Sequence, residues 1–221
     1  MIRNKAERTA EIIKRLKKAY PTAHCALNYT NPFELLIATI LSAQCTDERV
    51  NIVTSTLFRK YRGPQDFAAV SQEELEQDVK STGFFRNKSK SIRAASQRIL
   101  DEFGGKVPQT MDEILSLAGV ARKTANVVLG NAFGIASGVV VDTHVSRLSQ
   151  RLGLTKEKTP EKIEQDLQAL VLKKDWVMFP HWMIFHGRQI CHARKPKCRE
   201  CVLADECPSY RLFIKTGVAA E

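Results

Sequence analysis

Helix punctuation recurs along this 221-residue chain, and it constrains the fold more than any other feature. Asn31-Pro32 pairs an N-cap residue with proline at the first helical position and opens the apolar run FELLIATILSAQ. Proline fits there because its φ is already helical and its missing N–H has no intrahelical partner to lose. Ser71-Gln-Glu-Glu74 and Thr110-Met-Asp-Glu113 have capping-box spacing, and Thr159-Pro160 repeats the cap-plus-proline start. Residues 4–20 place Ala6, Ala10, Ile13, Leu16 and Tyr20 on one helical face before Pro21 ends the run. Only Val139–Val141 resembles a strand, and it is too short to build a sheet. The pattern predicts an all-α protein of helices joined by short polar turns. Apolar residues at 43% supply a real core, which excludes intrinsic disorder for most of the length.

Gly130, Gly134 and Gly138 punctuate a crossing from one helical group to the next, and a domain seam is expected there. The longest apolar-leaning stretch, residues 127–141, is interrupted by those glycines, Asn131 and Ser137. It is shorter than the roughly 18–20 residues of a membrane span. The opening MIRNKAERTAEIIKRLKK has no apolar segment behind its charges, so neither a signal peptide nor a transit segment is expected. A soluble intracellular protein without a membrane partner is the expectation. Lys+Arg 34 against Asp+Glu 24 gives a net charge of +10. The charge is patchy: residues 81–100 hold Arg86, Lys88, Lys90, Arg93 and Arg98 with no acid, and residues 188–199 hold five cations with none. Such stretches point to a polyanion such as nucleic acid, the alternative being a solvated basic surface.

Of the six cysteines, Cys25 and Cys45 stand alone and read as small buried residues. Cys191, Cys198, Cys201 and Cys207 crowd into one short segment, which in a reducing compartment is a metal site before it is two disulfides. Zinc modules carry two separated C-x2-C pairs. Here only Cys198 and Cys201 form one, and the outer thiols lie beyond gaps of six and five residues. That spacing wraps a loop around one larger object, and a [4Fe–4S] cluster suits it. Zinc with His192 as a competing ligand is the alternative. The cluster would fix the loop 192–197 so that Arg194, Lys195 and Lys197 meet phosphates.

Residues 115–129, LSLAGVARKTANVVL, read as a helix end, a tight turn at Gly119, and a new helix from about Arg122 with Ala125, Val128 and Leu129 buried. The first N–H groups of that helix point outward, and with Arg122 and Lys123 they form a phosphate site without sequence preference. An ordinary helical corner with two surface cations is the competing reading.

Leu117-Ala-Gly-Val-Ala-Arg-Lys-Thr-Ala125, Val141-Asp-Thr-His144 and Cys-x6-Cys-x2-Cys-x5-Cys, together with Ile40-Leu-Ser-Ala-Gln-Cys-Thr-Asp47 and Thr82-Gly-Phe-Phe-Arg-Asn-Lys88, occur in order along the chain. This set resembles the endonuclease III family, helix-hairpin-helix DNA glycosylases with an iron–sulfur loop, over about residues 5–210. The family hairpin reads Leu-Pro-Gly-Val-Gly, so Ala118 and Ala121 are departures. Losing the proline loosens the unfolded chain, an effect of a few tenths to about 1 kcal/mol. A Cβ at Ala121 either crowds the approaching phosphate or requires φ below zero.

The resemblance implies two helical domains with a DNA groove between them. A six-helix barrel domain of residues 25–135 would carry the hairpin at about 111–132. Residues 1–24 and 136–211 would form the iron–sulfur domain, and 212–221 a tail. It implies base excision repair, with removal of oxidised pyrimidines such as thymine glycol from duplex DNA and β-elimination at the abasic site. Lys123 would be the nucleophile: an amine attacks as the free base, which neighbouring positive charge from Arg122 and the helix terminus favours. Asp142 would stabilise positive charge on the sugar and shuttle protons while also capping the helix that follows, the two groups facing each other at the mouth of the groove. His144 reads as a packing residue.

Because a duplex hides its bases, the target must be flipped out and the gap filled. By resemblance Gln44 inserts opposite the flipped nucleotide and Phe84 is the apolar wedge, with Phe85 in the core. Arg86, Lys88 and the cations up to Arg93 would then track the DNA backbone, alongside Gly119, Ala121 and Arg122 of the hairpin. The implied partner is double-stranded DNA bearing damaged bases or abasic sites, met by a monomer in a bacterial-type cytoplasm at the nucleoid. Two rivals stand beside this reading. One is a non-catalytic iron–sulfur DNA-binding or redox-sensing module. The other is a related adenine or mismatch glycosylase, which usually lacks the lysine and carries a further C-terminal domain.

Overall fold

The computed structural model describes residues 4–217. Those residues form twelve α-helices and four 3-10 turns, with no strand, as the helix punctuation predicts. No helix among the described residues is long and apolar enough to cross a membrane. The chain divides into two compact units: Cys25–Ser137, and the described residues of Met1–His24 with Gly138–Glu221. Helix α1 (Lys5–Ala19) belongs to the second. Helices α2 (Pro32–Leu41), α3 (Asp47–Lys60), α4 (Pro64–Ala69), α5 (Gln72–Val79), α6 (Phe85–Phe103), α7 (Met111–Leu115) and α8 (Arg122–Phe133) build the first. Helices α9 (Thr143–Arg151), α10 (Pro160–Leu170), α11 (Met178–Gln189) and α12 (Tyr210–Lys215) complete the second.

Local chemistry sets most of the helix starts. Asn31 Oδ1 accepts the Glu34 N–H at 2.9 Å, and Ser71 and Thr110 accept from Glu74 and Glu113 in the same way. A complete capping box sits where the sequence reading placed none, at Asn4 and Glu7 ahead of α1. Thr159 makes no side-chain cap bond, so the start of α10 rests on Pro160 in its first turn.

In the first unit α2 is apolar on every side. Phe33 and Leu35 through Leu41 are all buried, as in a helix enclosed by its neighbours. Helices α3, α6 and α8 pack on it, while α4 and α5 pack on α6. Thr39 tolerates this interior because its hydroxyl donates to the Leu35 carbonyl at 2.7 Å. Truncating a side chain at the centre, such as Leu36, costs about 2–5 kcal/mol. Cys25 and Cys45 lie partly buried at the edge of this core rather than within it.

In the second unit α1 packs on α10 and α11, and α9 on the same two helices. The buried face of α1 is Thr9, Ile12, Ile13 and Leu16, with Ala6 and Ala10 exposed. Ile13, Leu16 and Tyr20 are buried as expected, and only the two alanines of the expected face lie outside it. Thr9 takes the place instead, its hydroxyl satisfied by the Lys5 carbonyl. The segment expected as a tail from residue 212 is helical as far as Lys215, with Phe213 beneath the Arg151 guanidinium at 4.8 Å. Residues 218–221 of that segment lie outside the described residues.

Candidate active site

The turn between α7 and α8 admits only glycine at its bend. Gly119 has φ +77°, and a Cβ there would stand 2.7 Å from Ser91 Cβ on α6. Ala121 is the N-cap of α8 with φ −96° and ψ 170°, extended backbone that any residue adopts. The alanine therefore meets the condition of negative φ. No side chain caps α8, whose first two residues are Arg122 and Lys123. Ala125, Val128 and Leu129 are fully buried beneath them. Lys123 is exposed at the positive end of the helix dipole.

In the second unit, Asp142 caps α9: its Oδ1 accepts the Val145 N–H at 2.8 Å and fixes the half-buried carboxylate. His144 is held by packing. A Cβ at Gly187 would lie 2.6 Å from its Nδ1, and Arg147 Nη2 approaches the same nitrogen at 3.1 Å. His181, which no motif singled out, lies within electrostatic reach of Asp142. Burial pushes its imidazole down to about 4, His24 acts in the same direction, and Asp142 opposes them. It is thus a neutral histidine at neutral pH.

Gln44 and Phe84 share a backbone signature. Among the described residues they are the non-glycine positions with positive φ, +53° and +47°. Such a conformation costs about 1–3 kcal/mol and persists only where the surroundings enforce it. Gln44 is exposed between α2 and α3. Phe84, 62% exposed, is the N-cap of α6. Both line one pocket with Ile40, Ala43, Asn87, Lys88, Ser91 and Gly119, so the Gln44 turn, the Phe84 turn and the hairpin converge. Phe85 packs partly buried on the core, as expected. The Arg86 guanidinium lies 5.4 Å over its ring, with the arginine side chain 80% exposed.

Lys88 corrects the expectation of a backbone-tracking cation. It is 5% exposed, and its ammonium donates to the Leu41 carbonyl at 2.8 Å and the Thr82 carbonyl at 2.7 Å. Burial lowers its pKa. Buried, with two of its three N–H donors committed to main-chain acceptors, Lys88 is an internal tie rather than a surface cation.

Cys191, Cys198, Cys201 and Cys207 line one cavity with His186, Arg151 and Phe213. Burial pushes the Cys201 thiol up to about 12, and the other three cysteines raise it further through their charge. Cys198 and Cys207 are raised for the same two reasons. Four thiolates held together at neutral pH therefore need the positive charge of a metal group. Four thiols around a cavity fit a body larger than one ion.

Sequence reading missed the residues that hold this loop. Arg151 donates to the carbonyls of His192 and Ala193, each at 2.7 Å, and its Nη1 lies 3.2 Å from Cys191 Sγ. Arg147 reaches the Cys191 carbonyl at 3.0 Å, and His186 Nε2 lies 3.4 Å from Cys201 Sγ. Arg147 and Arg151 sit on α9, 44 and 40 residues before Cys191, and His186 on α11, 15 residues before Cys201; no local motif marks them. Arg194 and Lys195 are exposed, while Lys197 is half-buried.

The profile of the HhH-GPD superfamily of base excision DNA repair proteins matches residues 37–173. That of the iron–sulfur binding domain of endonuclease III matches residues 191–207. Over 206 residues the chain is 57% identical to endonuclease III of Synechocystis sp., covering 93% of this chain and 94% of the relative. The chain belongs to the endonuclease III family. It is a base excision repair DNA glycosylase with AP lyase activity, and its cofactor is a [4Fe–4S] cluster. Endonuclease III of Bacillus subtilis is 48% identical over 207 residues, 93% of this chain and 94% of that one. A solved endonuclease III trapped as a covalent intermediate with DNA, in an estranged-adenine complex, matches with a TM-score of 0.90. It is 43% identical, and the match covers 97% of this chain and 100% of that one.

Proposed function

We propose that this endonuclease III-family enzyme removes oxidised pyrimidines from double-stranded DNA and nicks the resulting abasic site, with Lys123 as nucleophile and Asp142 as its electrostatic and proton-transfer partner. The observation that carries the reading is an amine, Lys123, exposed at the uncapped start of the hairpin's second helix. Its Nζ attacks C1′ as the bond from C1′ to the base breaks and the base leaves with a proton. The resulting amine opens the sugar to a Schiff base, loss of a C2′ proton expels the 3′ phosphate, and water then frees Lys123. Asp142, anchored by its own helix, stabilises positive charge on the sugar and relays protons. Gln44 and Phe84 fill the space left by the flipped nucleotide. Arg86, Arg122, Arg194, Lys195 and Lys197, with the backbone at Gly119 and Ala121, bind phosphates.

Four thiolates, Cys191, Cys198, Cys201 and Cys207, hold the cluster, which supplies structural order to the basic loop 192–197. Serine at any of the four lowers iron content and visible iron–sulfur absorbance, whereas serine at Cys25 or Cys45 leaves both unchanged. The enzyme acts as a monomer in the cytoplasm, at the nucleoid.

Borohydride reduction with abasic-site DNA tests the nucleophile. Wild type forms a covalent adduct and Lys123→Ala forms none; equal trapping by both overturns the assignment. A purely DNA-binding or redox-sensing module traps nothing. A lesion panel decides the base, with thymine glycol excised faster than adenine in a mismatch on this reading.

A further inference from the structure

The geometry points to Lys88 as a positioning residue that ties the Gln44 turn to the Phe84 turn and so sets the spacing of the two side chains that replace an extruded base. The inference rests on the roles proposed above for Gln44 and Phe84. The Leu41 carbonyl ends α2, three residues before Gln44, and the Thr82 carbonyl lies two residues before Phe84. One ammonium bonds both, at 2.8 and 2.7 Å. The Leu41 carbonyl closes α2 and the Thr82 carbonyl closes the 3-10 turn before Gly83, so an apolar side chain of similar size would leave both without this donor. A cation with several donors does what an apolar group does not: it fixes two acceptors from separate turns at one mutual distance.

Those turns are also where the backbone is strained, since Gln44 and Phe84 hold φ of +53° and +47° without being glycine. Strain of this kind relaxes unless neighbouring structure opposes it. Lys88 anchors the chain three residues before Gln44 and two before Phe84. Its own position on α6 is fixed because α6 begins at Phe85, directly after the wedge. The Gln44 and Phe84 turns line the same pocket as Lys88, so both sides of the tie face one space. A second link runs through Gly119, whose missing Cβ lets the hairpin close on Ser91 of α6, one turn beyond Lys88. The tie thus lies at the junction of the three turns that the proposed function places on DNA.

Lys88→Met keeps the unbranched stem to within one atom and removes the donors. Single-turnover base excision from duplex DNA is expected to fall about 10²-fold, the loss typical of a misplacement near 1 Å. The fluorescence of an aminopurine beside the lesion, which reports extrusion, falls in parallel. β-Elimination at an abasic site in single-stranded DNA, where no base has to be extruded, changes less than about threefold. The deciding measurement is a double-mutant cycle against Gln44→Ala/Phe84→Ala. Lys88→Met is expected to add almost nothing in that background, because the side chains it positions are gone. A full additive loss there, or equal losses on duplex and single-stranded substrates, overturns the inference and leaves Lys88 a stabilising residue. If Gln44→Ala/Phe84→Ala itself leaves extrusion intact, the roles of Gln44 and Phe84 fail instead. Should Lys88→Met not fold, Lys88→Gln, which keeps two N–H donors, is read in the same cycle and is expected to lose less.

Discussion

Helices α6 and α8 start alike and end up with opposite uses for their lysines. Each lacks a capping side chain and follows a glycine of positive φ, Gly83 at +70° and Gly119 at +77°. Each carries lysine near its first turn. Lys88 is the fourth residue of α6 and Lys123 the second of α8. At about 100° per residue, those two positions point some 200° apart around a helix. Lys88 accordingly turns into the unit onto two carbonyls, while Lys123 turns outward. A run of basic residues is thus not a phosphate surface by composition alone. Helix phase decides which cations stay available.

The comparison breaks first at Lys123. Lys123→Ala should lower β-elimination at abasic sites by more than about 10³-fold with an unchanged melting temperature, measured on a nicking gel beside thermal unfolding. An unfolding shift as large as that of Lys88→Met would erase the contrast between the two lysines.

The paired glycines sharpen it next. Gly83→Ala meets no atom within 4 Å and suffers backbone strain alone, about 1–3 kcal/mol. Gly119→Ala adds the contact with Ser91 Cβ and should be less stable than Gly83→Ala by a further 1–3 kcal/mol or so in urea unfolding. Ser91→Gly should restore part of that difference.

Smaller effects follow at the exposed side chains. Phe84→Ala should slow excision about tenfold on duplex DNA while stability stays within about 0.5 kcal/mol, because the ring is largely in solvent. Arg86→Ala should weaken binding to all duplexes by a few-fold and reduce the salt slope by about 1, without changing the rate at saturation. Lys88→Met should leave that salt slope as it is, since its ammonium is committed to carbonyls.

Much of the fold is legible because its signals are local. Asn31, Ser71 and Thr110 announce helix starts through bonds spanning three residues, and all three bonds form. Four clustered cysteines announce a metal site through spacing alone. Failures occur where the deciding contact is remote. Whether Lys88 faces out or in depends on the Leu41 carbonyl, 47 residues away. Arg151 holds the cysteine loop across 41 residues. Ile13, Leu16 and Tyr20 of the first helical face are buried as their type announces, whereas Ala6 and Ala10 are exposed because alanine suits a helix whether buried or exposed. Ala121 shows the reverse: its tolerance depends on φ, which no residue type states, and φ proves to be −96°.

Mapping the borohydride adduct tests the central claim most directly. Trapped enzyme is digested with protease and nuclease, and the peptide bearing the reduced sugar is sequenced by mass spectrometry. The modification is expected on Lys123, in the peptide that begins α8. An adduct on Lys88 or on any other amine, with Lys123 unmodified, would contradict it.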